Sequence, residues 1–591
     1  MLFLKNLHLI IYVFSFLIFS YQVAFFKKKH NSFKDIVFIF LIIISFFSIF
    51  IFILILFEKI NFEYIYIFNI IFCLIPFIFY KKTKDLISQS FTYIHNEKLY
   101  FFVFYFITLY LITLLPVSDP DSLDYHLGAP KQWILNGSYQ SHYNWLHYQL
   151  SSYGEVINAI SLISFDGKLL GFLKVTLLIF LTTILLINNP SKKFIIKLFL
   201  VSPIFIFFIL SQKPQFFGFL ILCILLVFLF KKDLKNIDKL THFSFIFLTG
   251  YVSAINFSFL PLTLSLLSIY VIYCKNIIFK YKFFSIISFI LFFITIGIIY
   301  LKNFYFHGNL IAPFFENIFS SNPKQQNINF ANYLQSFGYN FNFKNLFLLP
   351  VRFFIPLSLS DITYIFSPIF LFVFFIKELN QKSKVILIAL LISIFVMILT
   401  SQLSNRYYFL TYFLLLLYLL ECSFKNSYFL IKISRSIFVI FTLSLFIYFV
   451  ANSGSLFSKK KEIEYLSKYA YQYDEILWLK EKISKDNNFT SDIRSKSLLE
   501  ENHFTSHYLF YLDKSNLKKE IKIFVDKNNI KFFSFVKNDN RNFFYKIISN
   551  CKEILYSKNF TKKRRNFLAP DQIITREIFK LDLTSKKCEI K

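Results

Sequence analysis

Between Asp119 and Leu127 the chain reads DPDSLDYHL, which places three carboxylates, a tyrosine and a histidine within nine residues. These are acid–base groups. A carboxylate within hydrogen-bond reach of a hydroxyl or amine can take its proton as that group attacks an electrophilic carbon. A helix N-terminus favours the charged form of such a carboxylate. Two acids held together can instead bind a divalent cation through oxygen, against a phosphate leaving group. The stretch also has a structural reading, in which Ser118 or Asp119 caps a short amphipathic helix, SLDYHLGAPKQWIL, and Pro120 lies in its first turn. That accounts for one or two of the acids, and less well for Asp121, Asp124, Tyr125 and His126 together.

Further candidates follow along the chain. Lys213 in SQKPQ and Arg406 in SQLSNR lie at expected helix ends. Cations there either anchor a helix at the lipid–water boundary or grip a phosphate, arginine as a bidentate fork and lysine as a point charge. Glu155 in SSYGEVINAI could orient a base or an acceptor, and His126 and His147 could contact a phosphate or a sugar, although an interfacial role is the more ordinary one for each histidine.

The elements that must position these residues are membrane helices. With 56% hydrophobic residues, 21% aromatics and only 11 glycines in 591 residues, the chain is too apolar for soluble domains of average composition. Apolar runs of membrane-crossing length recur from Phe3 to Val450, and their Phe stripes read as lipid-facing and core packing. They predict about 14 spans, near 3–26, 36–57, 62–80, 99–117, 168–188, 194–210, 214–230, 241–256, 258–274, 283–301, 360–377, 384–400, 405–421 and 434–450. The net charge of +30 is spread over connections such as KKKHNSFK, KKTKD, KKDLKNIDK and KELNQKSK. That is a positive-inside pattern and not a groove for nucleic acid. With those connections inside, the loops 117–166 and 302–345, SQKPQ, SQLSNR and everything after Ala451 fall outside.

The tail from 452 to 591 gains charged residues and loses long apolar runs. NLKKEIKIFVDKNN reads as an amphipathic helix and IKFFSFV as a following strand. The predicted fold class is therefore an all-α polytopic membrane protein with a small extracytoplasmic C-terminal α/β domain. Cys551 and Cys588 could pair there or remain free thiols; the other four cysteines lie in or beside apolar runs, and no zinc spacing appears. The absence of a Gly-rich phosphate loop argues against a nucleotide-driven pump.

DPDSLDYHLGAP after a membrane helix, SQKPQ, NFYFHGNLIAPFF and SNRYYFL, in that order and on one side, together resemble the GT-C superfamily of integral-membrane glycosyltransferases. The nearest branch is that of protein mannosyltransferases and lipid A aminoarabinose transferases. The likeness covers roughly 99–450, making 99–451 the catalytic core and 1–98 three extra helices. It implies inverting transfer of a sugar from a polyprenyl-phosphate donor to a lipid-linked glycan, lipopolysaccharide or protein acceptor, at the outer face of a bacterial inner membrane. It also implies an Asp base followed four residues later by Tyr, which fits Asp121 and Tyr125. Asp119 is the alternative, because Ser122 stands where the family has an acid. Asp124, Tyr125, His126, Glu155, Lys213, Asn309 and Arg406 become substrate-binding candidates. Gly308, Asn309 and Pro313 follow the family's loop motif, with Leu310 in place of its proline. An O-antigen polymerase or ligase and a polytopic transporter or flippase are the competing expectations; the second is disfavoured because polar residues cluster at the boundary and Gly is scarce.

Overall fold

The computed structural model describes residues 2–27, 33–139, 145–231, 237–320, 323–335, 351, 353–356, 365–399, 405–499, 501–505, 509, 511, 514–537, 551–562 and 572–582. Parts of the expected loop 302–345, of the span 360–377 and of SQLSNR, together with Cys588, lie outside these residues.

Every expected span except 360–377 coincides with an α-helix or a broken pair of helices. By length and composition, five helices can cross a membrane among the described residues: Lys5–Ala24, Phe33–Leu56, Leu169–Asn188, Lys282–His307 and Ser427–Leu456. The expected fourteen are thus met only in part, and the reasons are local. The run 194–210 is bent by 66° between Pro190–Leu200 and Pro203–Leu210, and counts as a sixth span only if the pair is taken together. Pro203 occupies the first turn of the second piece, where its missing N–H costs nothing. The run 62–80 breaks into Phe62–Phe72 and Ile75–Ile78, again with a proline at the restart. Tyr100–Thr113 and Leu260–Tyr273 are short apolar helices, and 360–377 contributes the 3-10 helix Pro368–Phe375.

Burial separates the pillar from the periphery. Leu169–Asn188 is buried along most of its length, whereas Lys282–His307 exposes Phe283, Ile286, Ile290, Phe293, Ile294, Leu301, Phe304 and Tyr305. Large apolar side chains at helical spacing on an open face are what a lipid-facing stripe requires. The N-terminal helices are packed into the body. Phe52 of Phe33–Leu56 meets Trp133 and Tyr153 at ring separations of 5.9 and 5.4 Å, and Ser48 bonds the Tyr251 hydroxyl at 2.8 Å. They therefore brace the segment that follows DPDSLDYHL.

The tail folds as its pattern predicts, with helix Lys514–Asn528 leading into strand Phe532–Val536. The five-stranded sheet runs in the order His503–Thr505, Phe489–Ser491, Phe532–Val536, Gln572–Leu581, Lys552–Lys562. Its first three strands are parallel and the last two pairings antiparallel. Ile521, Phe524, Phe533, Phe535 and Phe579 fill one core; Ile476, Trp478, Leu479, Ile574 and Ile578 fill another. Arg576, fully buried, joins the sheet to helix Tyr473–Lys482 through Glu475 at 2.5 Å and to the loop at Asp492 at 2.6 Å.

Candidate functional site

The DPDSLDYHL segment is a π-helical turn, Ser122–His126, wider than an α-helical one, running into the helix Leu127–Asn136. Asp119 acts as the cap: its Oδ2 accepts from the Ser122 N–H at 2.8 Å and the Ser122 hydroxyl at 2.7 Å. The capping role that residue type suggested thus falls to Asp119, which leaves Asp121 and Asp124 to be explained otherwise. The Ser122 hydroxyl also accepts from the Gln212 N–H at 2.8 Å, tying this turn to SQKPQ.

That second turn is fixed from below and from the side. Lys174, buried in the pillar helix, donates to the carbonyls of Phe208 and Ser211 at 2.9 and 2.7 Å. These are among the orphan carbonyls at the end of helix Pro203–Leu210. Gly154, in helix Tyr153–Ser164, lies against Pro214 so closely that a Cβ would fall 2.1 Å from the proline Cβ. Held this way, Lys213 donates to Asp121 Oδ2 at 2.8 Å, with Asp119 Oδ1 at 3.5 Å, and its side chain is only 4% exposed.

Glu155 supports the turn from the other flank. It forms a capping box with Ser152 and binds His126 Nδ1 at 2.8 Å, while Asn158 donates to the His126 carbonyl at 2.9 Å. Tyr125 stacks on His147, with ring centroids 4.8 Å apart and 13° between planes. Burial, reinforced by the charge of Asp121, raises the Tyr125 phenol well above its ordinary value, so it serves as a donor and not as an anion. Burial pushes the His147 imidazole down to about 4.

Arg406, in the 3-10 helix Asn405–Tyr408, reaches the cluster by its charge from far away in sequence. Its charge acts on both Tyr125 and Asp121. Burial works to lower its pKa, but Tyr407, Tyr125 and Asp121 together outweigh burial and raise it. Among the described residues its one direct hydrogen bond is to the Tyr407 hydroxyl at 3.2 Å, and its Nε is buried with no partner. A half-buried guanidinium whose Nε is enclosed and unfilled is what an anionic ligand would satisfy.

Asn309 is placed differently. Its amide donates to Glu316 at 2.7 Å and to the Phe314 carbonyl at 2.9 Å, and its oxygen accepts from Ile311 N–H. These bonds hold the turn around the cis Ala312–Pro313 peptide and commit the side chain to loop structure. Among the described residues, no group of three or more His, Cys, Asp or Glu side chains is arranged to hold a metal ion.

Two groups that were not among the expected site residues, Arg494 and Lys496, face the acids from the tail. Arg494 binds Asp121 Oδ1 at 2.6 Å and approaches Asp124 Oδ2 at 3.6 Å; Lys496 binds Asp124 Oδ1 at 2.5 Å and lies 5.0 Å over the Trp145 ring. Burial lowers the Lys496 ammonium against the pull of Asp124, whereas for Arg494 the two aspartates outweigh burial and raise it. A signal was present in composition: the first 351 residues contain no arginine, so each later arginine stands where lysine was not used.

Comparison with models of known protein families, with curated proteins and with solved structures finds no match.

Proposed function

We propose that the chain is a polytopic membrane glycosyltransferase that moves one sugar from a polyprenyl-phosphate donor to a lipid-linked glycan, a lipopolysaccharide or a protein acceptor, with Asp121 as general base. The observation that carries this reading is the ion pair of Asp121 with Lys213 at 2.8 Å, formed between separate helix ends, with the Arg406 charge acting on Asp121 and Tyr125. A carboxylate beside two cations at the mouth of a helical bundle has the parts such a transfer needs. The cations hold the phosphate that leaves, and the carboxylate takes the proton of the attacking hydroxyl.

The extracytoplasmic face of a bacterial inner membrane is the compartment proposed, on two supports. The Lys-rich connections all fall on the other side of the predicted topology. Cys551 in the tail is disulfide-bonded, as suits an oxidising compartment, while the other four described cysteines are free.

The test compares wild type with Asp121→Asn in lipid nanodiscs, on a panel of polyprenyl-phosphate sugars with and without EDTA. Turnover by wild type that falls roughly 100-fold or more in the variant, with donor binding retained, is the expected result. Full activity of Asp121→Asn would move the base to Asp124 or Asp119, and transport of the lipid without transfer would replace the reading by a flippase.

A further inference from the structure

Helix Ser427–Asn452 packs on two others that begin, like it, at the Lys-rich side of the predicted topology: Tyr100–Thr113 and Lys193–Leu200. Its buried residues Leu430, Ser434, Phe438 and Thr442 recur every four positions, which makes one stripe facing the bundle. Phe438 meets Phe102 and Tyr105 at ring separations of 5.3 and 5.1 Å, and the Tyr105 hydroxyl donates to the Leu200 carbonyl at 2.7 Å. The three helices therefore meet at one junction.

Two cations enter that junction. Half-buried Lys197 places its ammonium 5.6 Å from the centre of the Phe102 ring. Arg435, next to Ser434 and exposed at the edge of the buried stripe, lies about 12 Å along its helix from Ser427. The charges that act on Lys197 are those of Arg435 and Lys193, both of its own sign. Lys193 is answered by the Glu97 carboxylate at 2.7 Å, whereas among the described residues no carboxylate meets Lys197 or Arg435. The Ser434 hydroxyl is fully buried and has no hydrogen-bond partner. Hydroxyls in a helix ordinarily bond the carbonyl four residues back, as Thr442 and Ser444 do in this same helix. A single cation at the lipid–water boundary turns toward water and needs no partner. Two like charges on different membrane helices, beside an unfilled buried hydroxyl, are unfavourable unless an anion joins them.

We propose that Lys197, Arg435 and Ser434 bind the phosphate of an anionic membrane lipid, in the leaflet on the side of the Lys-rich connections. The guanidinium supplies a planar fork, the ammonium a point charge and the hydroxyl a neutral donor, a set that matches the oxygens of a phosphodiester. The membrane and not the solution is the source. Arg435 stands on a membrane-crossing helix whose open side continues as Ile440, Leu443 and Ile447, all exposed, along which acyl chains can lie. Phe102 opens the helix whose far end leads to Asp121, so this site is at the other end of the bundle from the acids. It holds whether or not the chain transfers a sugar.

The probe is phosphatidylglycerol added to the full chain in a neutral detergent, with phosphatidylcholine and inorganic phosphate as separate arms. Retained lipid is counted by native mass spectrometry, and affinity is read from the rise of the thermal midpoint on titration. Wild type is expected to retain one phosphatidylglycerol in preference to phosphatidylcholine. Arg435→Gln and Lys197→Gln should each bind it roughly tenfold or more weakly, and Ser434→Ala should weaken it to a smaller degree. Lys382→Gln, which removes an exposed lysine of another Lys-rich connection, should bind as wild type does. Equal weakening by Lys382→Gln and Arg435→Gln would reduce the effect to general attraction by the positive side and overturn the site. Equal retention of the two lipids by wild type would overturn it as well. Arg435-dependent binding of inorganic phosphate with no lipid retained would overturn the lipid as the occupant. If Lys197→Gln fails to fold, Arg435→Gln, a change at an exposed position, carries the test.

Discussion

Lys213 shows how strongly one side chain can be tied to its place. It is buried, it faces Asp121 and Asp119 together, and its ammonium lies 4.8 Å over the Phe207 ring. Removing one partner of a buried ion pair costs up to about 3–5 kcal/mol, and here less, because Arg494 still meets Asp121 at 2.6 Å. Lys213→Met should therefore lower the thermal midpoint in detergent or nanodiscs, and adding Asp121→Asn should restore part of it. Equal melting of the single and double variants would mean that the pair is not coupled in the folded protein. The residue types at this site were legible in the chain: acids, cations and aromatic donors at expected helix ends. Their division of labour was not. Asp119 and Asp124 differ in role because Ser122 completes a cap with the first, while Lys496, more than 350 residues away in sequence, meets the second.

At the scale of elements, the site depends on two turns being brought within a hydrogen bond of each other, and glycine decides how closely. A Cβ at Gly154 would meet Pro214 at 2.1 and 2.6 Å, too close for either ring or helix to absorb without moving. Gly154→Ala is expected to destabilise by about 1–3 kcal/mol through overpacking and to push SQKPQ away from Asp121, cutting turnover while leaving the distant tail sheet intact. Normal turnover in a stable Gly154→Ala protein would show that Lys213 need not approach so closely. Helix positions followed from apolar runs because lipid-facing and buried faces alike demand such residues. Breaks were harder to see: the 66° bend ahead of Pro203 interrupts a run that hydropathy reads as continuous, and Tyr100–Thr113 is shorter than its apolar run. The tail helix was readable from its amphipathic spacing and the strand from its short apolar run. The placement of Arg494 was not, since it needs the strand order and the Arg576–Asp492 clamp.

Across the whole molecule, the tail is joined to the bundle by charge, and two enclosed imidazoles, one on each side, set a pH dependence. Burial holds His147 at about 4 and His503 at about 3, both below the ordinary 6.5 of an exposed imidazole. His147 stacks on Tyr125 in the site, and His503 bonds Ser491 in the tail sheet, with Lys496 and Lys131 adding to its depression. Because each folded value is lowered, the unfolded chain binds more protons between 6.5 and the folded value, so stability is complete above about 6.5 and falls as pH drops below it. At pH 5 each histidine would remove at most about 2 kcal/mol by this linkage. Thermal melts and tryptic release of the tail, followed from pH 7.5 to 5, should show the midpoint declining from about 6.5 downward and the tail cleaved more readily in acid. His503→Gln and His147→Gln should each flatten part of that slope. A slope unchanged in both variants would place the acid sensitivity elsewhere, and a protein equally stable at pH 5 and 7.5 would mean that neither imidazole is as enclosed as the packing of tail on bundle implies.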